Sequence, residues 1–208
     1  MALSYVVVDV ETTGGSPQMG HRMTEIAAVV VRNGVVAETF ETLVNPERTI
    51  PPFVSRLTHI TPAMVRDKPP FREIAPSVAA LLRDKVFVAH NAAFDRRFVQ
   101  VESNRAGCGW RDGGVLCTVK LARRLVPHLR RRSLDYLAHH YGVPIHNRHR
   151  AMGDAMATAH CFIRMLDEVG ARGLDTWDDI VQLVGARRRP RRRRPSAMPL
   201  FGEWEIGA

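Results

Sequence analysis

Tyr5-Val6-Val7-Val8-Asp9-Val10 is the stretch on which the fold turns. A run this rich in β-branched residues reads as a buried strand. Working outward, residues 24–31 and 35–44 continue the strand-like character, and Asn33-Gly34 between them has the chemistry of a tight hairpin turn. These segments predict a three-stranded meander. Further on, Thr61-Pro62 offers a cap with proline at the first helical position, and Arg72 to Leu82 carries apolar residues at helical spacing. Two helices are therefore expected after the meander. The short apolar run Val86 to Ala89 predicts another strand, followed by a helix that Asn91 can cap and that carries Phe94, Phe98 and Val101 on one face.

Three more helices are expected beyond that point: Cys117 to Leu125, Leu134 to Tyr141 between Ser133 and Gly142, and the long amphipathic segment Gly153 to Val169. Strands first, then strand and helices in alternation, predict an α/β sheet of mixed direction flanked by helices, with the functional site at strand ends. Pro190 within the arginines from Arg187 to Arg194, and Pro195 directly after them, rule out a packed helix there. The expected organisation is a folded body over residues 1–186 and a basic tail over 187–208, with no internal repeat of roughly 20–50 residues.

Composition narrows the function classes. The 208 residues are 45% hydrophobic and 25% charged, the balance of a globular domain. The apolar runs, such as Ile26 to Val31, fall far short of the roughly 18 residues of a membrane span. No leader-like pattern precedes the first strand, so a cytoplasmic protein without membrane contact is expected. Cys108, Cys117 and Cys161 form no Cys-x-x-Cys pair and read as reduced thiols. Seven of the 30 basic residues lie between Arg187 and Arg194, and the rest of the chain keeps a modest positive excess that suits a polyanionic partner.

Three separated segments carry candidate chemistry. Strand alternation puts Asp9 and Glu11 on one face, where two carboxylates can grip one cation. Asp95 falls in the first turn of a helix that follows a buried strand, and His149 stands five residues before Asp154, which enters the long helix. Each has an ordinary alternative taken alone: a solvated strand end, an acid favoured by a helix dipole, a loop histidine.

The conjunction is more specific. Val-Asp-Val-Glu-Thr-Thr-Gly (8–14), His-Asn-Ala-Ala-Phe-Asp (90–95) and His-Arg-Ala-Met-Gly-Asp-Ala (149–155), supported by Glu25-Ile26-Ala27, residues 57–61 and residues 121–125, resemble the DEDDh, or DnaQ-like, exonucleases, the family of the proofreading epsilon subunit of bacterial DNA polymerase III. The likeness spans roughly residues 5–167. It implies a ribonuclease H-like fold, with three antiparallel strands followed by parallel ones, and a two-metal site for Mg²⁺ or Mn²⁺. Asp9, Glu11 and Asp154 would be direct ligands, and Asp95 would bind the second metal directly or through water. Two such cations, about 3.5–4 Å apart, stabilise the attacking and the leaving oxygen of a phosphodiester, and all-oxygen ligands disfavour Zn²⁺.

His149 would be the general base, an imidazole's ordinary pKa of about 6.5 suiting proton transfer near neutrality. Its offset from Asp154 matches the histidine branch of the family and favours it over His146, while His139 and His140 read as structural or solvated. By the same resemblance Thr12 and Thr13 would meet the terminal nucleotide, Leu57 would wedge against the terminal bases, and Asn91 and Phe94 would line the cleft. Leu57 and Phe94 read equally well as core residues. Cys117-Thr118 departs from the Asp-Thr common in relatives.

The implied activity is metal-dependent 3′–5′ hydrolysis of DNA ends of the proofreading or repair type. An exoribonuclease of the same superfamily is the alternative, and a non-catalytic nucleic-acid-binding module is disfavoured by the presence of all five catalytic residue types. The arginine block reads either as a phosphate-binding arm or as a solvated linker. Ala197 to Phe201 faintly resembles peptides that hold the bacterial sliding clamp, though without their leading glutamine; a polymerase subunit or the clamp is thus an expected partner of the tail.

Overall fold

The computed structural model describes residues 4–111, 113–174 and 176–185. Five strands form one sheet: β1 (Ser4–Thr12), β2 (Met23–Arg32), β3 (Val35–Leu43), β4 (Val86–Ala89) and β5 (Val115–Cys117), in the spatial order β3-β2-β1-β4-β5. The β1–β2 and β2–β3 pairs are antiparallel, and β1–β4 and β4–β5 are parallel. This is the expected mixed sheet. Asn33 and Gly34 both have positive φ (51° and 74°), the geometry that a two-residue hairpin between twisted strands demands.

β1 lies centrally and is covered on both faces, which is why its sequence is nearly continuous in apolar residues. Val6, Val8 and Val10 face a core built with α3 (Phe71–Leu82) and α4 (Ala93–Arg105). Tyr5 and Val7 face the opposite core, with α5 (Thr118–Leu125), α6 (Leu134–Tyr141), α7 (Ala151–Gly170) and α8 (Trp177–Gly185). Asp9 and Glu11 continue the second face beyond the apolar core. Two short helices, α1 (Pro52–Thr58) and α2 (Pro62–Val65), bridge the meander and α3.

Four local expectations are corrected. Three helices, not two, separate β3 from β4; α1 spans only seven residues and buries just Val54 and Thr58, too little to create a visible periodicity. Val115–Cys117 is a strand, and the helix begins after it at Thr118; a three-residue strand with one fully buried side chain, Leu116, leaves no alternation to read. Asn91 does not cap α4. It takes a left-handed conformation (φ 73°), and Ala92 holds the N-cap position without a side-chain bond. Finally, α7 starts at Ala151 rather than Gly153. Gly153 lies within its first turn because a β-carbon there would lie 2.0 Å from the His146 carbonyl oxygen, so only glycine permits the approach.

The division at residues 186/187 and the basic tail lie outside the described residues. Among the described residues, no helix is long and apolar enough to cross a membrane, and all three cysteines are free thiols.

Phe162 of α7 is fully buried, its ring meeting Tyr5 of β1 edge-on with centroids 4.9 Å apart. Phe162→Ala should destabilise the domain by about 3–5 kcal/mol, the usual result of truncating a buried aromatic ring. Urea denaturation would read this as a lower midpoint at unchanged slope.

Candidate active site

The parallel strands β1, β4 and β5 end at the same edge of the sheet, and the acids gather there. β1 delivers Asp9 and Glu11, the turn after β4 leads to Asp95 in the first turn of α4, and α7 delivers Asp154 in its first turn. One carboxylate oxygen from each of Asp9, Glu11 and Asp154 lies within 4.8 Å of the others. Asp95 approaches from the opposite face of the sheet and accepts a hydrogen bond at Oδ1 from the Val10 backbone N–H (3.2 Å), between the two β1 acids.

Burial and mutual repulsion make these carboxylates reluctant to ionise. Asp9 is held well above the usual carboxylate range by burial first, then by the charges of Asp95, Glu11 and Asp154. Glu11 is pushed up to about 8 by burial, aided by Asp154, Glu25 and Asp95. Asp95 is pushed up to about 7 by burial, against the pull of backbone N–H groups including that of Val10. Asp154 is raised by burial too, with Arg148 opposing.

Arg148 is the cation that faces this cluster. Its guanidinium bridges Asp154 and Asp135, donating to Asp135 at 2.9 and 3.2 Å and to Asp154 Oδ2. His149 donates its backbone N–H to the same Oδ2 (3.3 Å), and its Nδ1 lies 3.4 Å from Arg148 Nη1. Asp154 Oδ1, by contrast, is buried without a hydrogen-bond partner. A buried, orphaned carboxylate oxygen beside two further carboxylates suits a hard divalent cation, which takes oxygen ligands and lowers the repulsion. The residues present therefore fit a metal centre.

Two ion pairs set the frame. Glu25 of β2, fully buried and opposite Glu11 in the strand register, receives Arg150 in a forked pair and the Ala151 backbone N–H at 2.8 Å. This fastens the start of α7, and so Asp154, to the sheet. On the other side the buried Glu102 of α4 receives Arg22 through Nε at 2.5 Å and Nη2 at 3.0 Å. Arg22 in turn holds Thr13, its carbonyl accepting the Thr13 backbone N–H (2.8 Å) and its own N–H donating to Thr13 Oγ1 (3.0 Å), and the Thr12 hydroxyl donates to the Gly14 carbonyl at 2.8 Å.

Asp9, Glu11, Asp95, Asp154 and His149 thus converge, with Thr12 and Thr13 at the end of β1. Asn91 is exposed at the start of α4, and Phe94 is half-buried against Phe98, with centroids 5.0 Å apart. Leu57 projects from α1 at 52% exposure, which removes the reading of it as a core residue. His146 is exposed in the α6–α7 loop, lining a separate cavity between that loop, β3 and α7. Sequence reasoning missed Arg148 and the Glu25–Arg150 pair as parts of the site. A glutamate inside the apolar run Met23–Arg32 was a signal for the second; nothing local marked Arg148.

The family model described as exonuclease, RNase_T, matches residues 6–162. The DNA polymerase III PolC-type protein of Staphylococcus aureus is 36% identical over 204 residues, 98% of this chain but only 14% of that protein. Among solved structures, exonuclease X in complex with 5′ overhanging duplex DNA superimposes with a TM-score of 0.67 at 31% identity, covering 87% of this chain and 99% of the other. Escherichia coli exonuclease I in complex with a dT13 oligonucleotide gives 0.70 at 19% identity over 82% of this chain and 42% of that one, a likeness of fold. The chain belongs to the DnaQ-like exonuclease family.

Proposed function

We propose that this chain is a divalent-metal-dependent 3′–5′ exonuclease that releases nucleoside monophosphates from DNA ends. The observation that carries the reading is the convergence of Asp9, Glu11 and Asp154 within 4.8 Å around an orphaned carboxylate oxygen, in a chain of an exonuclease family. The similarity to a DNA polymerase III and to an exonuclease solved on DNA favours DNA over RNA as substrate. Because the chain spans 14% of the polymerase's length, a proofreading role within a larger replicative assembly, or a sliding-clamp contact, belongs to the same proposal.

Asp9, Glu11 and Asp154 would hold Mg²⁺ or Mn²⁺, with Asp95 holding a second ion directly or through water. Bound there, the ions supply positive charge to the attacking and leaving oxygens of the phosphodiester. His149 would take the proton of the attacking water, from a loop whose backbone is fixed by its own N–H bond to Asp154. Arg148 would neutralise part of the carboxylate charge through its contact with Asp154. Thr12, Thr13, Asn91, Phe94 and the exposed Leu57 would position the terminal nucleotide at the strand ends.

Purified protein given 3′-labelled DNA and RNA strands of matched sequence, with paired and mispaired ends, should release labelled mononucleotide from DNA faster than from RNA, and only with Mg²⁺ or Mn²⁺. Undiminished cleavage under chelation would rule out the metal assignment. Asp154→Ala should be inactive, and His149→Ala slower by about 10²–10⁴-fold, the usual weight of a general base. His146→Ala should match the wild type; the reverse pattern would move the base to His146.

The raised acids also predict a pH dependence in the metal-free protein. A carboxyl with a folded pKa of about 8 and an ordinary value of 4.5 when unfolded favours the folded state below pH 4.5, and that contribution is lost as pH rises toward 8. Glu11→Gln removes this slope. In chelator, the variant should melt above the wild type at pH 8 by at least about 2 °C, the shift that 1 kcal/mol produces in a domain of this size, and by less at pH 4.5. Equal melting profiles across that range would contradict the assignment.

A further inference from the structure

A second charged surface lies beside the carboxylate edge. Lys120, Arg123, Arg124 and Arg132, together with Val184 and Gly185, line a cavity of about 640 Å³ between α5, the α5–α6 loop and the end of α8. Lys120, Arg123 and Arg124 stand at i, i+3 and i+4 on α5 and so share a face. Among the described residues, no carboxylate pairs with any of the four cations. The negative end of the α5 dipole favours Arg123 and Arg124, but not Lys120 in the first turn, which repels Arg124 one turn on. Arg132 is anchored by Nη2 on the carbonyl oxygens of Val126 (3.4 Å) and Pro127 (3.1 Å), while its Nε is buried without a partner.

Topology connects this surface to the site. α5 begins where β5 ends, at the sheet edge that carries the acids. His90, at the end of β4, joins the two regions: its ring hydrogen-bonds Thr118 Oγ1 at 2.9 Å and the Arg132 backbone. From there the cavity leads along α5 to Gly185, beyond which the sequence carries seven arginines between 187 and 194.

We propose that Lys120, Arg123, Arg124 and Arg132 form a phosphate-binding track that holds the backbone of a nucleic-acid strand upstream of its scissile 3′ end. The inference rests on the exonuclease reading for the placement of the end, but binding alone can test it. A stripe of cations without carboxylate partners among the described residues matches the spaced negative charge of a phosphodiester chain, and it would contact no base, so binding there is independent of sequence. Its effect is to keep a long substrate engaged between cleavage events.

The test uses the full chain with Lys120→Gln, Arg123→Gln and Arg124→Gln combined, and a second variant in which Arg123 and Arg124 become lysine. Binding of a fluorescent single strand of about 20 nucleotides is followed against salt, in chelator. The glutamine variant should bind about tenfold more weakly, and its log K against log salt slope should flatten by about 2, at roughly 0.7 per lost contact. The lysine variant should retain both. Separately, the KM for the long strand should rise about tenfold relative to that for the p-nitrophenyl ester of thymidine 5′-phosphate, too short to reach the track. An unchanged salt slope, or an equal rise in KM for both substrates, would overturn the track. Strand binding with the predicted slopes but no hydrolysis by the wild type would overturn the exonuclease reading and leave the track standing.

Discussion

Like charges brought together in a poorly hydrated place repel, and the edge of this sheet is built around that repulsion. Asp9, Glu11, Asp95 and Asp154 come from a central strand and two helices that pack on opposite faces of it, and burial lifts all four above the ordinary carboxylate range. An arrangement of this kind opposes folding unless the acids stay protonated or a cation joins them. Arg148 supplies part of the compensation and leaves Asp154 Oδ1 unsatisfied. The unsatisfied part is what a divalent cation would complete, and the proposed chemistry follows from it.

The remaining architecture keeps this edge from relaxing. β2 pairs with β1 through Asp9 and Glu11 themselves, and β4 pairs with it up to Val7, so the two acids cannot move apart without breaking the β1–β2 ladder. The forked Glu25–Arg150 pair, reinforced by the Ala151 N–H, prevents α7 from withdrawing Asp154. Arg22 and Glu102 do the same for the turn after β1. Charge pairs of this sort are poor sources of net stability but good positioning devices, because breaking one leaves a buried charge without a partner. Gly153 adds a steric condition, allowing the α6–α7 loop to close against the first turn of α7 and so present His149.

Much of this was legible in the sequence because it depends on short-range periodicity. Alternation in Tyr5 to Glu11 put two acids on one face, the run Val86–Ala89 placed Asp95 at a helix start, and the amphipathic α7 placed Asp154 at another. The hairpin turn at Asn33-Gly34 was legible for the same reason. What escaped depends on packing between distant segments: Glu25 and Arg150 are 125 residues apart, and Arg148 reaches Asp135 and Asp154 only because the loop folds back. The short elements α1 and β5 escaped for lack of length. Leu57, ambiguous between core and surface as a letter in the sequence, is settled only by the exposed face of a helix too short to be foreseen.

We propose that the acids at the end of β1 form a cation site and that their carboxyl groups, raised by burial, give up protons as the cation binds. Calorimetric titration of Mn²⁺ into the metal-free protein at pH 7, repeated in buffers of different ionisation enthalpy, measures this directly, because binding to protonated ligands must release protons. Saturable binding with net proton release, both lost in an Asp9→Asn, Asp154→Asn double variant, is the predicted result. Absence of binding, or binding without proton release, would contradict the account.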